Sequence, residues 1–342
     1  MTTNFVPMIE IVRGAHVEST HFGAAIIFGP NNKLVEKWGN TDTLIYPRSS
    51  VKMIQALPVI ASGAFDHFGL GRKEIALACA SHEGSELHTK LLSKWLATIG
   101  AAETDLKCGT QLKWRDKNTE NFKLKNSVQQ QLTNNCSGKH CGFLTYLNFK
   151  NLDKNYLEVE HPLQVKIRET LTYLSEEEIS EYGVDGCSAP NFMCSIKGLA
   201  MSMAKFSGSK GVERSIAEAS NEIFNSMLEN PYLVAGDGRA CTELMMAART
   251  RLIVKTGAEG VFTAACADNG LGIALKIMDG STRASEAAIV AILVKLGLLE
   301  QNHPLVVKRL FKPQKNWNGI FTGCIRPAEP FWESGKKIFN SP

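Results

Sequence analysis

Two patterns of apolar positions divide the chain into its predicted elements. Short apolar runs bounded by turn residues are typical of strands, and they occur near both ends of the sequence. Elsewhere, mainly through the middle, apolar residues recur every three or four positions, which predicts helices. The predicted strands cover 23–28, 34–38, 43–46, 250–254, 260–267 and 272–278. The predicted helices cover 49–62, 86–98, 139–147, 162–174, 212–228 and 285–296.

The order of these elements predicts the fold class. Strands grouped at both chain ends around a helical middle favour α+β layers over alternating βαβ units. We expect one antiparallel sheet, assembled from both ends and flanked by helices, with a mainly helical lobe. Residues 1–342 are predicted to form a single two-lobed catalytic unit, with a sheet lobe of about 1–63 and 235–342 and a helical lobe of about 64–234. The polar stretch 106–135 is left without an assignment.

Composition excludes several classes of protein. Hydrophobic residues make up 44% of the chain, enough for a full core, and the net charge of +4 is spread without long basic runs. The tightest basic cluster, Lys308, Arg309, Lys312 and Lys315, favours a solvated face over a nucleic-acid site. No stretch reaches the roughly 18 consecutive apolar residues that a membrane helix needs. We therefore expect no nucleic-acid partner and no membrane association.

The cysteines and the N-terminus predict the compartment. Residues 1–10 contain no basic region, apolar region or small-residue cleavage site of a secretory signal. The nine cysteines form an odd count, which argues for free thiols in a reducing compartment rather than a disulfide framework. The predicted location is cytoplasmic.

The strongest local signal for chemistry is Ser49-x-x-Lys52, at the start of the first predicted helix. Residues three positions apart lie on one helix face, one turn apart. A serine hydroxyl is a weak nucleophile until a base takes its proton, and a lysine buried beside other cations can have its pKa lowered enough to do so. The pair alone also arises by chance, so a structural interpretation of it stays open.

A second triplet, Lys-Thr-Gly at 255–257, follows an apolar run and precedes another predicted strand. At a sheet edge it supplies an ammonium group, a hydroxyl and a glycine that lets a substrate approach the backbone. S-x-x-K followed by K-T-G is the signature of penicillin-recognising serine enzymes, which take a second serine from S-D-N. Here the corresponding triplet at 81–83 is Ser-His-Glu, which departs from that pattern. A helix-capping role for Ser81 stays open.

Two polar, glycine-containing loops carry cysteines, at 134–141 and 185–191. Thiolates are strong zinc ligands, and histidine is their usual companion. No C-x-x-C repeat is present, so incidental buried thiols remain the alternative to a zinc site. Arg239 lies beside turn glycines and either forms a structural ion pair or approaches a substrate carboxylate.

In combination, these motifs resemble the rhizobial-type, or class 3, L-asparaginases, the L-asparaginase II family. The resemblance covers residues from about 9 to 299. The motifs that carry it are 47–52, 80–84, 135–140, 185–190 and 255–260.

The resemblance implies a fold like that of serine β-lactamases and glutaminases, and a homodimer. It also implies two serine–lysine pairs in one pocket, one zinc ion per chain completed by water, and further residues near the substrate or the metal. The residues so implied are the catalytic Ser49, Lys52, Ser81 and Lys255, the zinc ligands Cys136, Lys139 and Cys187, and the substrate-binding Arg48, His140, Asp185 and Cys241.

A lysine zinc ligand must be neutral, so its pKa must fall by several units, through the charge of the metal and burial together. Two thiolates and one neutral amine would leave the zinc formally neutral. We therefore expect zinc to tune the affinity for asparagine more than the chemical step.

The predicted function is hydrolysis of L-asparagine to L-aspartate and ammonia through an acyl-enzyme on Ser49. Lys52 would take the serine proton, while Ser81 and Lys255 would relay a proton to the departing ammonia. Glutaminase activity stays open, because packing against one methylene discriminates by only about 1–3 kcal/mol. A penicillin-binding protein or β-lactamase would predict an export signal. A catalytically inactive binding or sensor protein is disfavoured because both serines and both lysines are present together.

Overall fold

The computed structural model describes residues 5–110, 131–208, 211–248 and 250–333, so positions 111–130 of the unassigned stretch lie outside it. The strands are β1 Val6–Arg13, β2 His16–Phe28, β3 Leu34–Trp38, β4 Leu44–Ile45, β5 Tyr182–Val184, β6 Pro190–Phe192, β7 Cys194–Ser195, β8 Leu252–Thr256, β9 Val261–Cys266, β10 Leu271–Ile277, β11 Pro313–Lys315 and β12 Phe321–Pro327. The helices are α1 Lys52–Ala61, α2 Ala64–His67, α3 Arg72–Ala78, α4 Glu86–Thr98, α5 Ser137–Lys150, α6 Pro162–Ser175, α7 Ile196–Gly208, α8 Arg214–Glu229, α9 Pro231–Val234, α10 Ala240–Ala247, α11 Thr282–Lys295, α12 Pro304–Val307 and α13 Glu329–Glu333.

The main sheet joins the two ends of the chain. Its strand order is β11-β12-β1-β2-β10-β9-β8, with β3 paired to β2 beside this path. The pairs β1–β12 and β2–β10 are antiparallel and connect N-terminal to C-terminal strands. The predicted α+β class, with one antiparallel sheet built from both ends and flanked by helices, is confirmed. The division into two lobes stays a prediction.

The centre of the sheet is buried on both faces. Every residue of β9 is buried, and β10 is buried except at Lys276, so neither strand shows the alternation of a half-exposed strand. Helices α7 and α11 pack against these strands. Gly272 allows the close approach of α7, because a Cβ there would lie 2.0 Å from the backbone nitrogen of Ala204. The described part of the chain has no helix with the length and apolarity to cross a bilayer.

The cross-strand register places the side chain of Lys255 on the face of the sheet that meets α1. Lys255 pairs with Thr263, and Thr263 pairs with Ala274, so their side chains share one face of the sheet. On that face, Thr263 Oγ1 donates a hydrogen bond to the carbonyl oxygen of Ser50 at 3.0 Å. The sheet therefore holds Lys255 beside the turn that leads into α1.

Candidate active site

A cavity of about 490 Å³ lies where this turn meets the loops of the helical layer. It is bounded by the turn before α1, the segment before α5 and the β5–β6 connection. Its lining includes Arg48, Ser49, Asn135, Cys136, Asp185 and Cys187.

The turn that carries Ser49 is held in a strained conformation. Residues Arg48–Val51 form a 3₁₀ turn before α1, and Arg48 has φ = 54°, a left-handed value that is costly for a residue with a side chain. Two contacts hold it there. Arg48 Nε donates to Asp185 Oδ1 at 2.7 Å, and the Arg48 backbone N–H donates to Asn191 Oδ1 at 3.3 Å. These contacts fix Ser49 in the cavity wall.

Two buried lysines converge on one serine hydroxyl. Lys255 Nζ donates to Ser81 Oγ at 2.8 Å, and Lys52 Nζ donates to the same oxygen at 3.2 Å. Lys52 also donates to the backbone oxygens of Ala80 and Asn135. Ser81 follows α3, and its backbone N–H donates to the carbonyl oxygen of Val234 at 2.8 Å. Both lysines are fully buried, and Ser81 itself is 4% exposed.

The structure thus departs from a simple pairing of Ser49 with Lys52 and of Ser81 with Lys255. Within the described residues, Lys52 hydrogen bonds to Ser81 and not to Ser49. Ser49 lies on the cavity side of this cluster, and Ser81 lies on its buried side. Ser49 therefore lies in the cavity wall, and Lys52, Ser81 and Lys255 form a hydrogen-bonded chain behind it.

Electrostatics favour a neutral lysine in this cluster. Burial lowers the pKa of Lys255 to about 7, and the cationic Lys52 and Arg239 act in the same direction. Cys241 opposes the shift, and its sulphur accepts the Thr256 backbone N–H at 3.3 Å. Near neutral pH a large fraction of Lys255 is therefore free to accept a proton.

A second cluster joins the start of α5 to the β5–β6 connection. Lys139 Nζ donates to Cys187 Sγ at 3.0 Å. A hydrogen bond from Cys136, together with the Lys139 ammonium, lowers the pKa of Cys187 to about 5. The same hydrogen bond and burial raise the pKa of Cys136 to about 12. Burial disfavours the Lys139 ammonium, but the neighbouring sulphurs hold its pKa above the ordinary value.

The donor set of this cluster fits a zinc ion. Over the described ranges, no group of three or more His, Cys, Asp or Glu side chains could hold a metal. Lysine is outside that set, and Lys139 adds a nitrogen donor to the sulphurs of Cys136 and Cys187. Zinc takes sulphur and nitrogen ligands in four-coordinate sites, so three donors leave one position for water or substrate. The fit requires the amine to release its proton.

His140 lies next to this cluster and has an unsatisfied nitrogen. Its Nδ1 is 2.9 Å from the hydroxyl of Tyr156, which also accepts the Lys107 backbone N–H at 2.8 Å. Its Nε2 is buried and has no hydrogen-bond partner in the described part of the chain. Burial and the Lys139 charge lower the pKa of His140 to about 3, so the ring is neutral.

The residues predicted as site residues therefore fall into three positions. Arg48, Ser49, Cys136, Asp185 and Cys187 line the cavity. The lysine–serine chain lies behind the wall, and Lys139, His140 and Cys241 are buried outside the lining.

Sequence reasoning missed several residues of the site, and two of them lie against the turn that carries Ser49. Asn191 holds the backbone of Arg48, and Ala258 lines the cavity beside Ser49. Both lie inside or directly after motifs noted from sequence, at 185–191 and 255–257. Their position was the available signal, but neither residue type carries obvious chemistry.

A larger cavity of about 550 Å³ lies elsewhere, between the turn at 29–32 and the turn at 267–270. Its cation, Lys205, is paired with Glu176 at 2.7 Å. The smaller cavity is the stronger candidate, because it brings a serine, thiols and an Arg–Asp pair together.

Comparison with solved structures supports the fold. Two crystal structures of Mglu, one in its native form, are 11% and 10% identical to the chain, cover 82% of it and have TM-scores of 0.50. The chain spans 66% and 68% of the length of those two Mglu chains. A candidate beta-lactamase from Bacteroides dorei DSM 17855 is 12% identical, with coverage of 75% of this chain and 85% of that one and a TM-score of 0.41. The likeness to the Mglu structures supports the predicted fold class.

Comparison with protein families gives a match over most of the chain. No curated protein sequence matches it. The family model described as L-asparaginase II matches residues 9–327.

Proposed function

The chain belongs to the L-asparaginase II family, and on that premise we propose that it hydrolyses L-asparagine to L-aspartate and ammonia through a serine–lysine acyl-enzyme. It is an asparaginase-type amidohydrolase with a small-molecule substrate. The observation that carries the finer proposal is the hydroxyl of Ser81 held between two buried lysines, directly behind the cavity that Ser49 lines.

In the proposed acylation, Ser49 Oγ attacks the side-chain carboxamide carbon of asparagine. Lys52 lies one turn on; it passes a proton through the Ser81 hydroxyl to the neutral Lys255 and takes the Ser49 hydroxyl proton once that side chain turns toward it. The oxyanion needs N–H donors. Among the described residues, the backbone N–H groups of Ser49 and Ala258 have no acceptor, and both residues line the cavity. They are the proposed oxyanion donors.

The proposed proton route runs from Lys52 through Ser81 to Lys255. The two hydrogen bonds at the Ser81 hydroxyl supply a continuous path. Collapse of the tetrahedral intermediate breaks the C–N bond, and the leaving amide nitrogen takes a proton from this chain and departs as ammonia. A water molecule then attacks the ester, with the chain accepting its proton. The ester C–O bond then breaks, the chain returns the proton to Ser49 Oγ, and aspartate leaves.

The residues around the cavity are proposed to orient the substrate. The Arg48 side chain is partly exposed and is paired with Asp185, so both are available to the charged α-groups of asparagine. His140 would offer its unsatisfied nitrogen, and Cys241 would support the Thr256 backbone. These assignments remain proposals.

The same proposal assigns zinc to Cys136, Lys139 and Cys187, whose donor atoms fit it. When bound, zinc would supply a mild Lewis acid that orients the α-amino and carboxylate groups of the substrate. A homodimer and a cytoplasmic location are also proposed, on the resemblance and the sequence composition alone.

The test is ammonia release from asparagine and glutamine by Ser49→Ala and the wild type. Removing a covalent nucleophile costs several orders of magnitude, so Ser49→Ala is expected to lose at least about 1,000-fold in kcat. Ser188→Ala is the matched control, because Ser188 lines the same cavity but, within the described residues, hydrogen bonds to neither Lys52 nor Lys255. It is expected to stay within about tenfold of the wild type.

Two outcomes would contradict the proposal. If Ser81→Ala alone abolishes turnover and Ser49→Ala keeps more than a tenth of kcat, Ser81 is the nucleophile. If the wild type turns over nitrocefin or glutamine and not asparagine, the substrate is wrong.

A further inference from the structure

His82 follows Ser81 at the position where the S-D-N motif has its aspartate. The ring is 1% exposed, and its hydrogen bonds define its tautomer. The Gly84 backbone N–H donates to Nδ1 at 3.1 Å, so the ring proton is on Nε2. Nε2 lies 2.9 Å from Ser137 Oγ, which in turn donates to the Leu132 carbonyl oxygen at 3.0 Å. Both ring nitrogens therefore have partners in the neutral form.

These hydrogen bonds connect two parts of the site. One side of the ring is tied to the loop of Ser81, and the other to the first residue of α5, where the thiol cluster begins. The ring is also stacked on His88, with centroids 4.8 Å apart and planes 15° apart. His88 is in turn stacked on Tyr232 at 5.2 Å and 8°. The histidine is thus fixed in both position and orientation.

The charges around Ser81 and His82 are predominantly cationic. Lys52 of α1, Lys255 of β8 and Arg239 before α10 act on this region, and His88 of α4 faces the ring. The thiols that act on Lys255 or stand near it are Cys79 after α3, Cys136 before α5 and Cys241 of α10.

The hydrogen bonds of the neighbouring carboxylate, Glu83, are made with groups other than the His82 ring. Glu83 accepts hydrogen bonds from the Tyr232 hydroxyl at 3.3 Å and the Asp237 backbone N–H at 3.2 Å. Burial, with the charges of His88, Lys52 and Arg239, holds the pKa of His82 well below its ordinary value. An imidazole therefore fills a position at which an aspartate would add a negative charge.

We propose that His82 is a positioning residue that ties the Ser81 loop to the start of α5 and, because it carries no charge, leaves the buried lysines without a counter-ion. This inference rests on the proposed serine–lysine mechanism. A carboxylate at position 82 would stabilise the ammonium form of Lys255, whereas a neutral side chain leaves Lys255 able to accept a proton near neutral pH.

The test uses the matched pair His82→Asn and His82→Asp, which differ in charge and hardly in shape. Both retain an acceptor for the Gly84 N–H and lose the contact with Ser137. We expect kcat to fall by about 10- to 100-fold in both, through misplacement of Ser81. In kcat/KM against pH, His82→Asn keeps the midpoint of the limb on which activity rises with pH, whereas His82→Asp moves that midpoint up by about one unit or more.

His88→Asn is the control for ring stacking, because the hydrogen bonds of His88 in the described part of the chain go to Ser85 and Tyr232 and not to Ser81 or Ser137. It is expected to keep the wild-type midpoint. Ser137→Ala removes the same His82–Ser137 hydrogen bond by changing the other partner. It should reproduce the loss of kcat in His82→Asn without moving the midpoint. Thermal unfolding of each variant identifies any that fail to fold.

A second readout is independent of turnover. The ¹³Cε resonance of Lys255, assigned with Lys255→Met, is titrated in the wild type and in both His82 variants. A higher titration midpoint in His82→Asp alone supports the proposal even if the substrate is not asparagine. Equal midpoints in the Asn and Asp variants, by kinetics or by NMR, would overturn it, as would full kcat in His82→Asn.

Discussion

At the scale of single residues, the site keeps two lysines buried around one hydroxyl. Lys52 and Lys255 are both fully buried, and Ser81 Oγ accepts a hydrogen bond from each. Burying one ammonium beside another disfavours the charged form, so the arrangement reduces stability in exchange for a base that is neutral near pH 7. The same feature therefore predicts both activity and a weakness of the fold.

Lys255→Met should expose this weakness. The pKa of Lys255 is about 7 in the folded chain against 10.5 ordinarily, so unfolding takes up a proton between these values. Wild-type stability therefore rises with pH through this window, and the full destabilisation by Lys255 is present below about pH 7. The pKa difference corresponds to at most about 5 kcal/mol, from which the lost hydrogen bonds subtract.

In thermal unfolding, Lys255→Met is expected to melt above the wild type at pH 6, with the gap closing toward pH 10. The exposed Lys197→Met is the control and should show no pH-dependent gap. A gap for Lys255→Met that does not change with pH would contradict the lowered pKa.

Metal content tests the thiol cluster. Protein purified without chelator is expected to contain about one zinc per chain, because two sulphurs and one nitrogen converge at the cavity. Cys136→Ala and Cys187→Ala should both lose it. Cys266→Ala, a change at a buried cysteine of β9 away from the cluster, should keep it. Full zinc in both cluster variants would show that these cysteines are not ligands.

At the scale of elements, periodicity predicted some of the helices and missed others. The prediction 86–98 coincides with α4, and 162–174 lies within α6. Helix α7 was not predicted, because small residues alternate with Leu199, Met201 and Met203, which spaces these large apolar residues two positions apart rather than three or four. Strand β12 was missed as well; its buried residues alternate with more exposed ones, but polar residues and glycine interrupt its apolar run.

The site shows a similar division. Motifs located Ser49, Lys52, Ser81 and Lys255 in the sequence, and the fold brings them to one place. The contact of Lys52 with Ser81 could not be predicted, since it depends on how the loop after α3 meets α1 across 29 residues of chain. Spacing within a motif predicts neighbours on one element only, and contacts between elements depend on packing.

Gly257→Ala tests how closely β8 must approach the Ser49 turn. A Cβ at this position would lie 2.7 Å from the carbonyl oxygen of Pro47 and 3.3 Å from Ser50 Cβ, so the strand end and the turn must separate. Displacement of about 1 Å can cost on the order of 100-fold, and kcat/KM on asparagine should fall accordingly. Gly71→Ala is the matched control, because its nearest neighbour would be Glu74 Oε2 at 3.8 Å. Unchanged kcat/KM in Gly257→Ala would show that the Ser49 turn can move away from β8 without loss of activity.

At the scale of the whole molecule, the candidate site depends on a sheet that closes between the chain ends. Strand β12 covers the edge of β1, and β1, β2, β10 and β9 then lead to β8, which carries Lys255. Helix α13 follows β12 and docks Phe331 against Trp38 of β3. The last described helix therefore secures strands from both ends of the sequence, far from the cavity.

Phe331→Ala tests this dependence. Phe331 is fully buried, its ring centroid is 5.1 Å from that of Trp38, and Lys295 Nζ lies 4.9 Å from the centroid of each ring. Removing a buried Phe side chain costs about 3–5 kcal/mol, so the melting temperature should fall by several degrees. Phe321→Ala, on the exposed part of β12, is the control and should melt with the wild type. Well below the melting temperature, Phe331→Ala should keep the wild-type midpoint of kcat/KM against pH, because the surroundings of Lys255 are unchanged. A shifted midpoint would show that α13 acts on the site itself, and an unchanged melting temperature would show that this helix does not secure the sheet.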